Sequence, residues 1–376
     1  MVRKILAVLA IVLLAGAAAL WWYTRPLPVL TVSTWAGPYG RAQAAAQTRP
    51  YGVEKQVNVR LDLWDGEIAE VAKAVSTGVY KGDVIDFELP SAIAACRQGL
   101  LEKIDPAILP PGADGTPATK DFVPGAIGPC WVASVVYSQI VIYAPDYFVS
   151  RFQGIQPGRL ADFFDLKTYP GRRALVRTGP KFNLEMALLA DGVAPGEVYR
   201  MLETAEGLAR AFAKLDTIRD VVVWTDSAKE NLERVRTGQA VFATALNGDV
   251  HDAALHGFKP GVIWDRQMYE MDVFGIPKGT PKKEMALDFL RDATTSQRLA
   301  GVASWVPYGP ARRSAQKLVG DNPDLKIPMR DVLPTAHFDT AFLVDDGWWL
   351  AHQAEMAARW QEWLDRPAPP AKGKGR

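Results

Sequence analysis

The apolar positions of the chain fall into short runs that alternate with amphipathic stretches, beginning at LPVLTVSTW (27–35), which reads as a strand. A helix is expected from Gly40 to Gln47, and VNVRLDLWD (57–65) predicts a second strand by its two-residue alternation. GEIAEVAKAVSTG (66–78) places Ile68, Val71, Ala72 and Val75 along one helical face. DVIDFEL (83–89) is the third strand, and SAIAACRQGLL follows it as a helix. Strand, helix, strand, helix, strand implies a parallel sheet covered by helices. Such sheets bind ligands beyond the carboxyl ends of their strands. The loops at those ends carry Trp35 with Tyr39, and Glu88 just before Pro90.

A second α/β region follows. SVVYSQIVIYAPD (134–146) is β-rich, and LADFFDLKTYPGRRALVRTGP (160–180) holds an aromatic helix, a Pro-Gly turn and a strand. LEMALLADGV (184–193) and EVYRMLETAEGLARAFAKLDTI (197–218) read as helices, and VVVW (221–224) as a strand. QAVFATALNGD (239–249) is expected to be a strand ending in a polar turn. VIWD (262–265), YEMDVFGIPKG (269–279) and the helix PKKEMALDFLRDATTSQRLAG read as a return to the first region.

The length of 376 residues exceeds what one core usually organises and suits two lobes. Lys plus Arg (43) balances Asp plus Glu (42), so no global field attracts nucleic acid or acidic lipid, and charge selectivity has to be local. The N-terminal stretch has Arg3 and Lys4, an uncharged run from Ile5 to Thr24, and alanines at 17–19. That order is an export signal, cleaved near Ala19 or retained as an inner-membrane anchor, since the run is about long enough to span. The body then lies in the periplasm, with membrane contact only through residues 1–28, and the tail 367–376 is expected to be disordered. In an oxidising space Cys96 and Cys130 are expected to form one disulfide, the alternative being two buried thiols.

The series TWAGPYGRAQ, GDVIDFE, GLLEKID, ADFFD, YPGRRAL, LEMALLADGV, TGQAVFATALNGD, MYEMDVFGIPKGTPKKEMALDFL and VPYGPARRSA resembles the periplasmic solute-binding proteins of ABC importers. The resemblance is greatest to the spermidine and putrescine-binding branch and runs from about Leu30 to Leu364. It implies a type II periplasmic-binding fold: two α/β lobes, each a mostly parallel sheet flanked by helices, joined by a two-crossing hinge that closes on ligand. By analogy lobe 1 would comprise 29–139 with 247–297, and lobe 2 140–246 with 298–366. The implied partners are a small-molecule solute and permease subunits, with no cofactor and a monomeric chain. A retained N-terminus would instead suit an anchored sensor of the same fold.

A polyamine site needs carboxylates spaced along a slot and aromatic faces along the methylenes, because each ammonium loses water on entry. Trp35, Tyr39, Trp224, Phe274 and Tyr308 are candidate walls; Glu88, Asp249 and Asp272 are candidate ends. Asp272 stands out because it interrupts an apolar strand. Asn247 begins an NGD sequence that is also a routine turn signal, and Glu185 could be a contact or a helix-start charge. Two departures from the family pattern bear on ligand choice. The loop before the LEMAL helix reads RTGPKFN, so Arg177 and Lys181 would oppose a second ammonium and could instead grip an anion; Leu246 stands where relatives often carry tryptophan. These leave room for an amino-acid-like or anionic solute.

Enzymatic signatures are missing: there is no GxSxG, HExxH or GxxxxGK[ST]. His251 and His256 lie five apart and do not share a helical face, His337 and His352 are isolated, and no adjacent tyrosine pair suggests iron. Asp62 and Asp65 read as a solvated strand end.

Overall fold

The computed structural model describes residues 26–151 and 156–366, together with Leu14 and Gly16. The expected export segment and the expected disordered tail therefore lie outside the described residues, apart from 14, 16 and 26–28. Among the described residues no helix is long and apolar enough to cross a membrane.

A single large sheet organises the chain. Its eight longer strands in chain order are β1 (Val29–Thr34), β2 (Asn58–Leu63), β3 (Val84–Glu88), β4 (Trp131–Tyr143), β5 (Arg173–Val176), β6 (Val222–Thr225), β7 (Phe242–Leu246) and β8 (Gly261–Gly275), and two-residue strands at Gly309–Pro310 and Phe342–Leu343 pair with β4 and β8. Across the sheet they stand β2-β1-β3-β8-β4-β7-β5-β6. The flanks are parallel, β1 with β2 and β3, and β5 with β6 and β7. The centre is antiparallel, where the two long strands β4 and β8 pair with each other and with β3 and β7.

Those long strands are the two crossings. Val132, Ala133 and Val136 of β4 and Met271 and Val273 of β8 sit in a first hydrophobic core with Leu30, Val32 and Phe87. Val141 and Tyr143 of β4 and Ile263 and Met268 of β8 sit in a second core with Leu175, Leu184 and Phe242. Each strand thus leaves one lobe and enters the other. The lobes share one hydrogen-bonded sheet, where two mostly parallel sheets were expected.

Three sequence expectations change. VIWD and YEMDVFGIPKG are not separate elements but parts of β8. The polar interval between them stays in the strand because Gln267 is buried and its amide donates to the carbonyl oxygens of Pro334 (2.9 Å) and His337 (2.5 Å). Arg266 at φ 56° marks the irregularity, beside the shift in register between Gln139 and Val141. Second, Leu299, Ala303, Ala311, Ala315, Met329 and Leu333 pack in the first core, so the chain from 298 to about 333 joins lobe 1 and only its later part, including Phe342 and Trp363, joins lobe 2. Arg312 pins that segment: fully buried, it pairs with Asp121 at 3.1 Å and donates to the carbonyls of Thr294 and Pro110. Third, NGD is not a turn but the first turn of a helix, as described below.

The helices that bear on the site are α1 (Pro38–Gln43), α2 (Leu89–Arg97), α3 (Asn183–Ala190), α4 (Asn247–Leu255), α5 (Ser296–Ala303) and α6 (Asp346–Asp365). Helices α2 and α4 begin immediately after β3 and β7, and α1 begins three residues beyond β1, which is the strand-to-helix geometry that builds ligand sites. Cys96, near the end of α2, and Cys130, just before β4, form the expected disulfide, with Cα atoms 5.9 Å apart.

Candidate functional site

A cleft of about 680 Å³ opens where β1, β3 and β7 end, and it is lined from both lobes, because α4, expected in lobe 1, has its Val250 in one apolar cluster with Ile140, Ala174 and Ala243 of the lobe 2 strands. Trp35, Tyr39 and Glu88 come from the first lobe's strand ends, Asn247 and Asp249 from the start of α4, and Tyr308 from the segment after α5. Tyr137 of β4 and Asp272 of β8 form the floor on the crossing strands. Seven of the residues singled out in the sequence therefore meet at one place: Trp35, Tyr39, Glu88, Asn247, Asp249, Asp272 and Tyr308.

Local sequence explains the approach of these groups. Gly37, at φ 85°, turns the chain from Trp35 into α1, and Pro38 starts the helix. At Gly248 a Cβ would meet the Tyr308 ring at 3.1 Å, so glycine lets that ring close over α4. Asn247 holds the two together: its Oδ1 accepts from the Ser138 N–H (2.8 Å) and its Nδ2 donates to the Pro307 carbonyl (2.6 Å). Asn247 thus ties β4, α4 and the Tyr308 segment.

The rings of Tyr39 and Tyr308 meet edge to face with centroids 5.8 Å apart, and Tyr137 meets Tyr308 at 6.3 Å. This three-ring cage stands over carboxylates. Asp272 is 8% exposed and its carboxylate has no hydrogen bond or ion pair among the described residues. Burial pushes its pKa well above the ordinary carboxylate range, and the like charges of Asp86, Glu88 and Glu270 push it further. Asp86, fully buried beneath the cleft, accepts from Gln43 Nε2 (2.6 Å) and Thr34 Oγ1 (3.3 Å), while its Oδ1 has no partner. Burial raises its pKa to about 7. Gln43 Nε2 also donates to the Tyr39 hydroxyl (3.1 Å) and Gln43 bonds Thr34, so one polar network supports the cage. Burial and the neighbouring acids hold Tyr39, Tyr137 and Tyr308 above the usual phenol value, so all three remain neutral donors. Asp249 is raised and His251 lowered, both chiefly by burial.

Other sequence candidates lie elsewhere. Trp224 packs edge-on against Trp360 (5.9 Å) and Trp363 (6.0 Å) in lobe 2. Phe274 is fully buried against Phe289. Glu185 is fully buried in α3 and accepts from Tyr199 Oη (2.5 Å), Trp349 Nε1 (2.7 Å) and the Phe182 N–H (2.7 Å), which makes it a structural hub. Arg177 lies outside the cleft lining, its carbonyl bonded by Trp360. Lys181 is bonded to Glu270 and, at 2.7 Å, to Asp346. Burial alone would lower its pKa, but those two carboxylates hold it above the ordinary lysine value. Its charge is spent within the fold, so it neither repels an ammonium nor grips an anion in the cleft.

The sequence reading missed Tyr137, Asp86, Gln43, Trp305 and Arg41, of which Gln43 and Asp86 support the cleft from beneath and the rest line it. Asp86 carries the same signal that singled out Asp272, a charge inside an apolar strand. A second groove of about 660 Å³ lies at Leu89, Trp131, Tyr199 and Phe342. Its charged groups are engaged: Arg97 donates to the Gly347 carbonyl (3.4 Å), Asp345 caps α6 at Trp348 (2.9 Å), and Asp346 pairs with Lys181. Among the described residues no cluster of His, Cys, Asp and Glu is placed to hold a metal.

Residues 45–327 match the family described as bacterial extracellular solute-binding protein. A γ-aminobutyric acid-binding protein of Pseudomonas aeruginosa is 32% identical over 339 residues, covering 90% of this chain and 91% of its own. The solved structure of a GABA receptor superposes with TM-score 0.69 at 27% identity, covering 91% of this chain and 99% of that one. An ABC transporter substrate-binding protein from Bradyrhizobium japonicum gives TM-score 0.71 at 26% identity, over 90% of this chain and 100% of that one. Two of these relatives are thus named for γ-aminobutyric acid and one as the substrate-binding protein of an ABC transporter.

Proposed function

The chain belongs to the bacterial extracellular solute-binding proteins, and from that premise we propose that its cleft captures a small ω-amino acid of the γ-aminobutyrate type, amine end first. The observation that carries this reading is Asp272, a buried carboxylate whose side chain has no hydrogen-bond or ion-pair partner among the described residues, beside a cluster of three tyrosines. A primary ammonium supplies the missing charge and hydrogen-bond donors, and the ring faces attract it by about 0.5 to 2 kcal/mol each. Arg41 and His251 line the same cleft from opposite lobes and can meet the carboxylate end. The relative and the solved structure named for γ-aminobutyrate support the choice.

A solute touching α1 and Glu88 on one side and α4 on the other stabilises the closed lobes by its differential affinity for them. Family members of this kind deliver solutes to the permease subunits of ABC importers. A second reading, a diamine such as putrescine, is favoured by Asp249, Asp252 and Asp324, which add acids to the same lining.

Isothermal titration with γ-aminobutyrate, β-alanine, 5-aminovalerate, putrescine and spermidine separates the two. Binding of the amino acids with little heat from the diamines supports the first reading, and the reverse order supports the second. If none of the five binds, both fall.

A further inference from the structure

Asp86 and Glu88 project to the same face of β3, and Asp272 stands directly opposite Glu88 on β8. Asp86 and Asp272 are therefore diagonal neighbours, for which Cα spacings are about 7 to 8 Å. Both are at least nine-tenths buried, Asp86 keeps one oxygen without a partner, and neither is bonded to a basic side chain among the described residues. Two carboxylates so close in a low-dielectric floor cannot both stay ionised without a cation between them.

The groups facing the pair do not supply that cation. Glu88 comes from β3, Glu270 from β8, Tyr137 from β4, Tyr39 and Gln43 from α1, Tyr308 from the segment after α5, and Asp249 and His251 from α4. Glu270 is bonded to Lys181, which also holds Asp346, and Arg41 is exposed at the rim.

We propose that Asp86 and Asp272 hold one proton between them in the empty cleft and release it to solvent when an ammonium group enters, so that Asp86 acts as a positioning residue selecting cationic solutes. The proton leaves to bulk buffer, and the ligand's charge replaces it beside Asp272. A neutral solute cannot displace the proton and gains nothing from the pair. This rests on the proposal that the cleft takes an amine.

The first test is titration of the whole chain with γ-aminobutyrate near neutral pH in buffers of different protonation enthalpy. Wild type is expected to release close to one proton per ligand, and D86N measurably less, because Asp272, though still buried beside Glu88 and Glu270, ionises more readily without Asp86. Affinity of D86N near pH 5.5 is expected to exceed that of wild type, because less proton has to be displaced from Asp272. Binding with the same heat in every buffer overturns the shared proton. The second test needs no ligand. The melting temperature of D86N minus that of wild type is expected to widen from about pH 5 to about pH 8, as wild type is forced to ionise both acids. A flat difference overturns the inference whether or not any amine binds. A difference that widens more in wild type than when Asp272 is already Asn upholds the shared proton even without γ-aminobutyrate binding and sinks only the amino-acid reading; equal widening in both backgrounds overturns it.

Discussion

Glu88 and Asp272 are direct partners across the antiparallel β3–β8 pair, yet Glu88 is exposed while Asp272 is 8% exposed at the cleft floor. The same register thus supplies a rim acid and a desolvated acid. Truncating a buried charge partner typically costs about 2 to 5 kcal/mol of binding, whereas a rim charge costs less and acts mainly on association. Asp272→Asn is therefore expected to abolish measurable amine binding, and Glu88→Gln to weaken it about tenfold or less. Calorimetric titration of the two variants checks the order, and equal losses would contradict it.

The same substitution should act on stability in the opposite direction. Asp272, Asp86 and Asp346 all have raised carboxyl pKa values, chiefly through burial, the last two to about 7. The folded state then binds more protons than the unfolded chain between about pH 4 and pH 7, so stability from these groups falls as pH rises through that window. Ligand-free wild type is expected to melt highest near pH 5, and Asp272→Asn to recover stability near pH 8. Thermal melts across pH report both effects; a rising wild-type profile over that window would count against them.

Tyr308 closes the cage over both Tyr39 and Tyr137. Tyr308→Ala is expected to cost about 1 to 2 kcal/mol of amine affinity, while Tyr308→Phe retains most of it because the ring face does the attracting. A Phe variant as weak as the Ala variant would show that the hydroxyl, not the face, carries the contact.

Asn247 serves the cleft from behind. Its side chain bonds two main-chain groups, of Ser138 and Pro307, so Asn247→Ala leaves a buried N–H and a carbonyl unpaired, at about 1 to 3 kcal/mol of stability. Because Pro307 precedes Tyr308, affinity should fall alongside. Denaturant unfolding with titration on the same variant measures both.

Lys181 is expected to matter for folding and not for charge selection. Lys181→Met removes the cation between Glu270 and Asp346, which are both largely buried, and is expected to destabilise by about 3 to 5 kcal/mol. The loss should shrink below about pH 6, where Asp346, with its pKa near 7, takes a proton. Chemical denaturation of the variant at two pH values tests the magnitude and its direction.

The Cys96–Cys130 disulfide joins α2 to the start of β4 across 34 residues of sequence. Closing a loop of that length stabilises by about 3 to 4 kcal/mol in the chain-entropy account.

Much of the cleft was legible because its chemistry breaks local rules. Asp272 in an apolar strand, Glu88 before a proline, and Trp35 before a Gly-Pro turn are each costly or unusual without a purpose, and short-range periodicity exposes them. The alternation of apolar runs likewise determined the strand and helix order and the α/β class. What it left undecided depends on partners distant in sequence. Whether Lys181 faces solvent or two carboxylates, whether Trp224 lines a cleft or packs on Trp363, and whether 298–333 joins one lobe or the other are settled by contacts more than a hundred residues away in several cases. A sequence pattern reports the solvent preference of a side chain, and only tertiary packing decides which particular group satisfies it.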